Sequence, residues 1–197
     1  MHRYGAGLFK LQAVFSLAKT ISPKGNIILY GQSIGSAVAL GLAATLQPDE
    51  ISAIIIENPF LSISKLAPSV LLMDLDFFGK LIEKFIIIDN WNNEESCRKI
   101  SQKEKDAHLF IPVLILSGYM DSMILGEKHS KSLYSILSKE MFSAIPYSFT
   151  NKVSSICSED KKKQWSVFED GNHNDTVCQY GYFYIIGAFL NKFVFER

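Results

Sequence analysis

Residues 27–39 read IILYGQSIGSAVA, and the interpretation of the whole sequence starts from this stretch. A run of apolar and β-branched residues ends at Gly31, Ser33 follows two positions later, and Gly35 opens a run of small residues typical of a packed helix. The pattern predicts a very tight turn from strand to helix, in which both flanking residues must be small. Such a turn pushes the serine hydroxyl out of the sheet. We therefore predict that Ser33 is a nucleophile.

Apolar runs alternate with segments of helical spacing, and we expect a single domain over residues 1–197. The predicted strands are 27–30, 51–57, 113–117 and 165–168, and the predicted helices are 8–19, 34–46, 127–138 and 176–195. Strands that alternate with helices favour a parallel sheet, and continuously apolar strands indicate helices on both faces of that sheet. The predicted fold class is therefore α/β, in three layers.

Two segments are less regular than the rest. Residues 60–110 are expected to hold two or three helices and are the candidate for a cap region. Residues 139–164 are polar and mixed, and we expect them to form a loop insertion.

Composition and charge limit the classes of partner and of location. The chain has 20 Lys and Arg residues against 20 Asp and Glu residues, and this zero net charge argues against a nucleic acid partner. The three cysteines are far apart, so we expect a reducing compartment and no disulfide framework. No signal peptide is recognised, and no apolar run reaches the roughly 20 residues of a membrane span.

His173 is the candidate base, because a serine hydroxyl needs a neighbouring base to become a strong nucleophile. It lies in FEDGNHNDT, just past the last predicted strand, and so at the same carboxyl edge of the sheet as Ser33. His108 precedes the third predicted strand and lies at the wrong end. His129 falls in a helical stretch, where we expect a solvated face.

Two carboxylates are candidates for the acid that orients the histidine. In this architecture the acid lies between the serine and the histidine along the chain. Asp121, in LSGYMDSMI, follows the third predicted strand on a short loop that can curl back to the imidazole. Glu57, in IIIENPF, ends the second predicted strand and reaches the same edge. We favour Asp121 because of its longer loop and keep Glu57 as the alternative acid.

No metal or nucleotide site is predicted. The histidines and cysteines form no cluster with the spacing of metal ligands, and the glycines of YGAG, residues 4–7, follow no predicted strand. The expected chemistry therefore needs no cofactor.

Taken together, these stretches resemble the α/β-hydrolase domain-containing serine hydrolases, specifically the Bem-type branch close to the protein depalmitoylases. The matching segments occur in the family's order and are IILYGQSIGSAVALGLAA, ISAIIIENPFLSI, PVLILSGYMDSMI and GNHNDT followed by GYFYIIGAFL. The resemblance implies that Ser33 is the nucleophile, Asp121 the acid and His173 the base, with the Ile34 backbone N–H in the oxyanion hole. It assigns no chemistry to ENPFLSI.

The resemblance also implies a substrate class, partners and a location. Family members cleave esters or thioesters of long acyl chains, so the expected substrate is an acyl ester or thioester carried by a lipid or an acylated protein. The apolar residues of 66–88 are candidates for an acyl channel or, equally, for ordinary core under a cap. Many relatives carry an N-terminal membrane segment. The expected location is therefore membrane-associated through a segment outside this chain, or cytoplasmic.

The family's sheet has eight strands, and the four predicted here resemble the last four. We therefore expect the chain to correspond to the C-terminal half of the fold, without the N-terminal strands. The loop that supplies a second oxyanion N–H, usually a His-Gly motif, would then be missing as well. The strand at 27–30 would have an exposed apolar edge, which favours self-association. The alternative to an active serine hydrolase is a catalytically silent relative that acts in binding or as a scaffold.

Overall fold

Within the described residues, five strands form one sheet. They are β1 (Ile28–Gln32), β2 (Ala53–Glu57), β3 (Val113–Gly118), β4 (Val153–Ser158) and β5 (Lys163–Phe168). The structure, a computed structural model, describes residues 5–23, 25–66, 91–140 and 150–196. The strand order is β1-β2-β3-β5-β4; β4 pairs antiparallel with β5, and the other pairs are parallel. The predicted α/β class is confirmed, with a mostly parallel sheet.

Strand β4 corrects the prediction that 139–164 is only a loop insertion. It pairs with β5 so that Ser155 is opposite Ser166, and the two hydroxyl oxygens are 2.7 Å apart. β4 is an edge strand with partly exposed side chains, so it lacks the continuous apolar run that identifies the buried strands. Residues 141–149 of the predicted loop lie outside the described residues.

Helices cover both faces of the sheet, as predicted. They are α1 (Gly5–Ile21), α2 (Ile34–Ala43), α3 (Asn93–Ala107), α4 (Ser130–Ser138) and α5 (Tyr182–Leu190). One apolar cluster joins side chains of α1 to α4 to Ile54 and Ile56 of β2, and a second joins α5 to Ala53 and Ile55 of the same strand. Successive side chains of a strand point to opposite faces, which separates the two clusters. No helix within the described residues combines the length and the apolar character of a membrane span.

Two predicted segments differ from the observed helices. The helix predicted over 176–195 is divided into a 3-10 turn (Thr176–Cys178), α5 and a π-helical turn (Asn191–Phe195). Gly181, with a φ of 83°, separates the first two of these. Within the predicted cap region, α3 contributes to the main core instead of standing above it. Residues 67–90 of the predicted cap region lie outside the described residues.

The strand register brings four strand ends to one edge of the sheet. Gln32 of β1 is opposite Glu57 of β2, and Gly118 of β3 is opposite Phe168 of β5. The carboxyl ends of parallel strands lie at the same edge, where the ligands of such sheets bind. The turn after β1 and the loops after β2, β3 and β5 therefore open on one side of the molecule.

A buried ion pair lies at the opposite, amino edge of the sheet. Lys163 Nζ donates to Glu104 Oε1 and to the Ile111 carbonyl oxygen, both at 2.6 Å. Burial lowers the pKa of Lys163 and raises that of Glu104, and the opposite charge of the partner counteracts each shift. Removing one partner of such a pair leaves a buried charge unpaired and costs about 3–5 kcal/mol of stability.

We expect the 197-residue chain, expressed by itself, to self-associate through β1. Within the described residues this edge strand pairs only with β2, and its Tyr30 side chain is 51% exposed. An unpaired edge offers free backbone N–H and C=O groups to another chain. Tyr30→Lys places a charge on the edge and should lower the molar mass measured by light scattering at rising protein concentration. Cys157→Lys changes an exposed position on the other edge strand, β4, and serves as the matched control.

A monomeric mass at every concentration would contradict this expectation. So would a mass that falls with Cys157→Lys and not with Tyr30→Lys.

Candidate active site

Ser33 forms the turn between β1 and α2, with backbone angles of φ 51° and ψ −116°. Residues with a side chain rarely adopt positive φ, and holding one in such a sparsely populated region costs about 1–3 kcal/mol. The Ser33 N–H donates to the Glu57 carbonyl oxygen at 2.8 Å, which ties the turn to the end of β2. The structure thus places Ser33 on a strained strand-to-helix turn at the carboxyl edge.

Gly31 and Gly35 meet different demands in this turn. A Cβ atom on Gly31 would lie 2.1 Å from the Gly35 carbonyl oxygen, so the close approach of the two backbones requires a glycine at Gly31. A Cβ atom on Gly35 would meet no described atom within 4 Å outside its own helix and chain neighbours. The expectation that both residues must be small therefore holds only for Gly31. Gly35 contributes its backbone to the contact.

Ser36 supports the turn from inside and was not singled out from the sequence. Its buried hydroxyl lies 2.8 Å from the Gly31 carbonyl oxygen and 3.1 Å from that of Glu57. A hydroxyl has one proton, so the two carbonyl oxygens share it. The contact joins the first turn of α2 to both β1 and β2.

The imidazole of His173 lies between Ser33 and Asp121. Its Nε2 is 3.0 Å from Ser33 Oγ, and its Nδ1 is 2.8 Å from Asp121 Oδ2. The other carboxylate oxygen, Oδ1, accepts from the backbone N–H groups of Met123 and Ile124 at 2.9 and 2.8 Å. Because the carboxylate can only accept, the imidazole nitrogen that faces it, Nδ1, carries the ring proton. Nε2 is then unprotonated and directs its lone pair at the serine hydroxyl. The structure brings the three predicted residues together.

Glu57, the alternative acid, is engaged elsewhere. Its Oε2 accepts from the hydroxyl groups of Tyr30 and Tyr182, both at 2.6 Å, and its Oε1 accepts from Gln32 Nε2 at 3.2 Å. Burial and the hydrogen bond to Glu57 raise the pKa of Tyr30 to about 12. The carboxylate is fully buried beneath the start of α5, and its hydrogen bonds join that helix to β1. The structure does not bring Glu57 to the imidazole.

The two rejected histidines have other surroundings. His129 is buried, which corrects the expectation of a solvated face, and its Nδ1 accepts from the Leu61 N–H at 3.2 Å. Burial lowers the pKa of His129 to about 4, so this side chain is neutral at physiological pH. His108 is exposed and ends α3 with a φ of 50°, at the amino edge as predicted.

Ile34, the residue after the serine, is the predicted oxyanion donor. Ile34 is the first residue of α2, and backbone N–H groups of a first helical turn have no acceptor within the helix. The positive end of the helix dipole adds to the attraction for a negative oxygen there. Its N–H is therefore available beside the Ser33 hydroxyl.

An apolar cluster borders the serine and the Asp121 loop. Ile34 and Met123 are partly buried and pack against a buried group made up of Ala37, Phe60, Ile63, Leu66 and Ile124. These residues come from α2, from the segment after β2 and from the segment after Asp121. Hydrocarbon thus lies on one side of the catalytic candidates.

Comparison with known sequences finds relatives along most of the chain. The family model described as serine aminopeptidase S33 (Hydrolase_4) matches residues 8–105. Protein bem46 of Schizosaccharomyces pombe is 34% identical over 170 residues, which are 86% of this chain and 45% of bem46. The uncharacterized membrane protein YNL320W of Saccharomyces cerevisiae is 31% identical over 169 residues, which are 85% of this chain and 46% of that protein. The chain spans about half the length of these curated relatives.

Comparison with solved structures finds the fold of this chain in an esterase. The Pyrococcus furiosus esterase Pf2001 matches with a TM-score of 0.63 at 15% sequence identity, over 96% of this chain and 63% of the esterase. At this identity the likeness shows the fold alone.

Gly31→Ala should lower the free energy of unfolding by about 1–3 kcal/mol, the usual cost of overpacking. The added methyl group would collide with the Gly35 backbone, which cannot move without opening the turn. Gly35→Ala is the matched control and should be neutral or stabilising, since Ala favours helix over Gly by about 1 kcal/mol. Urea denaturation of both variants measures the difference. Equal losses in the two variants would contradict this account of the turn.

Proposed function

The chain belongs to the α/β-hydrolases, and we propose that it is a serine hydrolase that cleaves acyl esters or thioesters. The observation that carries the proposal is the hydrogen-bonded line from Ser33 Oγ through His173 to Asp121, with lengths of 3.0 and 2.8 Å. Acyl transfer requires a nucleophile, a base that takes its proton and an acid that orients the base. The three side chains supply these roles in this order.

In the first half of the reaction, Ser33 Oγ attacks the carbonyl carbon of the substrate while His173 Nε2 takes the hydroxyl proton. Asp121 keeps the Nδ1 proton in place and stabilises the imidazolium that forms. The carbonyl oxygen becomes negative in the tetrahedral intermediate, and the Ile34 N–H donates to it. When the intermediate collapses, the bond to the alcohol or thiol breaks, and Nε2 returns its proton to that leaving group.

In the second half, water releases the acyl group from Ser33. His173 Nε2 takes a proton from the water as it attacks the acyl-enzyme carbonyl carbon. The proton then returns to Ser33 Oγ as the serine ester bond breaks, and a free carboxylic acid leaves. The hydrogen bonds among Ser33, His173 and Asp121, hereafter the triad, are then restored.

The apolar cluster beside the serine supports an acyl group as the substrate. Ile34 follows Ser33 in the chain, the Met123 N–H donates to Asp121, and both side chains pack against the buried members of the cluster. Apolar walls with a few converging polar groups are the usual form of a ligand site. The channel predicted within 66–88 lies outside the described residues from 67 onward and stays a prediction.

The finer parts of the proposal rest on the family resemblance. A lipid or an acylated protein would carry the acyl group, and protein depalmitoylation is the thioester form of the same reaction. One yeast relative bears the name of a membrane protein. We accordingly propose that this chain acts at a membrane, with the cytoplasm as the alternative.

A fluorophosphonate probe should label the purified protein, because the probe reacts with an activated serine, and Ser33→Ala should abolish labelling.

Asp121→Asn should lower kcat by about 10⁴-fold, since the amide leaves the imidazole in the wrong tautomer. Glu57→Gln is the matched control, because it changes the alternative acid in the same way. Glu57→Gln should lower kcat far less than Asp121→Asn does. Labelling rates and ester hydrolysis measure all three variants.

Labelling that survives Ser33→Ala would refute the nucleophile. A folded protein that the probe never labels would favour the silent binding or scaffold alternative. A larger loss in Glu57→Gln than in Asp121→Asn would refute the choice of acid and leave the hydrolase proposal intact.

Hydrolysis should improve as the acyl chain of the substrate lengthens. Each added methylene that meets the apolar cluster contributes up to about 0.8 kcal/mol of transfer free energy. A series of p-nitrophenyl esters of increasing chain length, together with an acyl-cysteine peptide, measures the trend in kcat/KM. Activity that is highest with acetate and declines with longer chains would contradict an acyl site at this cluster.

A further inference from the structure

Asn58 is the first residue after β2, in the ENPF stretch to which no chemistry is assigned. Its side chain is 1% exposed, and its backbone has a φ of 43°, in the left-handed region. Asn tolerates this region better than most residues with a side chain. A buried amide in a strained backbone position at the carboxyl edge calls for a physical account.

The Asn58 carboxamide uses both of its ends. Its Oδ1 accepts from the Gly118 N–H at 3.0 Å, and its Nδ2 donates to the His173 carbonyl oxygen and to Thr176 Oγ1, each at 3.0 Å. The chemistry of the partners fixes the orientation of the amide, because a backbone N–H can only donate and a carbonyl oxygen can only accept. The Asn58 backbone N–H also donates, to the Leu116 carbonyl oxygen at 2.8 Å.

These bonds join the two loops that carry the acid and the base. Gly118 ends β3 three residues before Asp121, whereas the Nδ2 partners belong to the loop of His173. The two loops also touch directly. The Met120 N–H donates to the Gly171 carbonyl oxygen at 2.9 Å, and a Cβ atom on Gly118 would lie 2.2 Å from that same oxygen. Asn58 is thus a buried bridge between the loops.

We propose that Asn58 is a positioning residue that sets the register of the His173 loop against the Asp121 loop, and thereby the distances within the triad. The inference rests on the proposed serine hydrolase function and adds a residue to it. The hydrogen bonds of the Asn58 side chain go to Gly118, Thr176 and the His173 backbone, and those of the imidazole go to Ser33 and Asp121. Asn58 acts through the His173 backbone, which its Nδ2 holds.

Asn58→Asp changes the donor end of the side chain and keeps the acceptor end. The carboxylate keeps an acceptor for the Gly118 N–H and replaces both donors with an oxygen that faces the His173 carbonyl oxygen. Two acceptors repel each other, so the His173 loop should shift. Because a displacement of about 1 Å in a catalytic group costs about 100-fold in rate, we expect kcat on a short p-nitrophenyl ester to fall by about 10- to 100-fold with KM unchanged.

The control for lost stability is Glu104→Gln, which disturbs the buried ion pair at the amino edge, away from the triad. It should lower the melting temperature and leave kcat within about twofold, since its neighbours are not catalytic. The second control is a double-variant cycle. In a His173→Ala background, Asn58→Asp should cause no further loss of residual activity, because residues that act as a unit are not additive.

An NMR readout makes the inference independent of turnover. The Nδ1 proton shared by His173 and Asp121 should give a far-downfield resonance in the wild type and in Glu104→Gln. Asn58→Asp should shift or lose it. If the wild type shows this resonance but hydrolyses no ester and takes no probe, the proposed function fails while the positioning role is still measured.

Three results would overturn the inference. They are an unchanged kcat and resonance in Asn58→Asp, a kcat loss no larger than that of Glu104→Gln, or a loss of the same size in the His173→Ala background. If Asn58→Asp does not fold, Asn58→Gly accepts the left-handed backbone without strain and removes both ends of the bridge. A resonance and kcat that Asn58→Gly leaves unchanged would then refute the positioning role.

Discussion

The strained backbone of Ser33 is the constraint on which the arrangement of the carboxyl edge depends. Its φ of 51° costs about 1–3 kcal/mol, and hydrogen bonds from neighbouring elements hold it there. Glu57 accepts from the Ser33 N–H, and the Ser36 hydroxyl bonds to the carbonyl groups of Gly31 and Glu57. These partners belong to β1, β2 and α2. The turn is therefore stable only once the strand pair and the helix have formed around it.

Two consecutive residues at the end of β2, Glu57 and Asn58, join different elements at that edge. The Glu57 side chain points to the face that α5 covers and joins Tyr182 to Tyr30. The Asn58 side chain lies beyond the strand and joins the two loops of the triad. A shift of one residue would exchange these environments, because strand side chains alternate between faces. The carboxylate is thus held in a structural role although it lies at the correct edge.

Different interactions hold the two edges of the sheet. At the amino edge, Lys163 and Glu104 are buried as an ion pair, and Lys163 Nζ also donates to the Ile111 carbonyl oxygen. At the carboxyl edge, Ser33 and Asn58 hold positive φ angles, and the Asn58 amide is hydrogen-bonded to two loops. Such backbone angles have to be maintained by the surrounding structure. The regular strands and the apolar clusters on both faces provide that support.

The sequence by itself determined the α/β class and the edge at which Ser33, Asp121 and His173 lie, because apolar periodicity marks each buried strand and each candidate follows one. It left open the choice between Asp121 and Glu57, missed β4 and misjudged the burial of His129. Those features depend on side-chain direction and on which elements pack together, and the local pattern of apolar residues predicts neither. Both carboxylates reach the same edge, and only the tertiary structure separates them. The pleat turns Glu57 toward the tyrosines beneath α5, and the loop after β3 brings Asp121 to the imidazole.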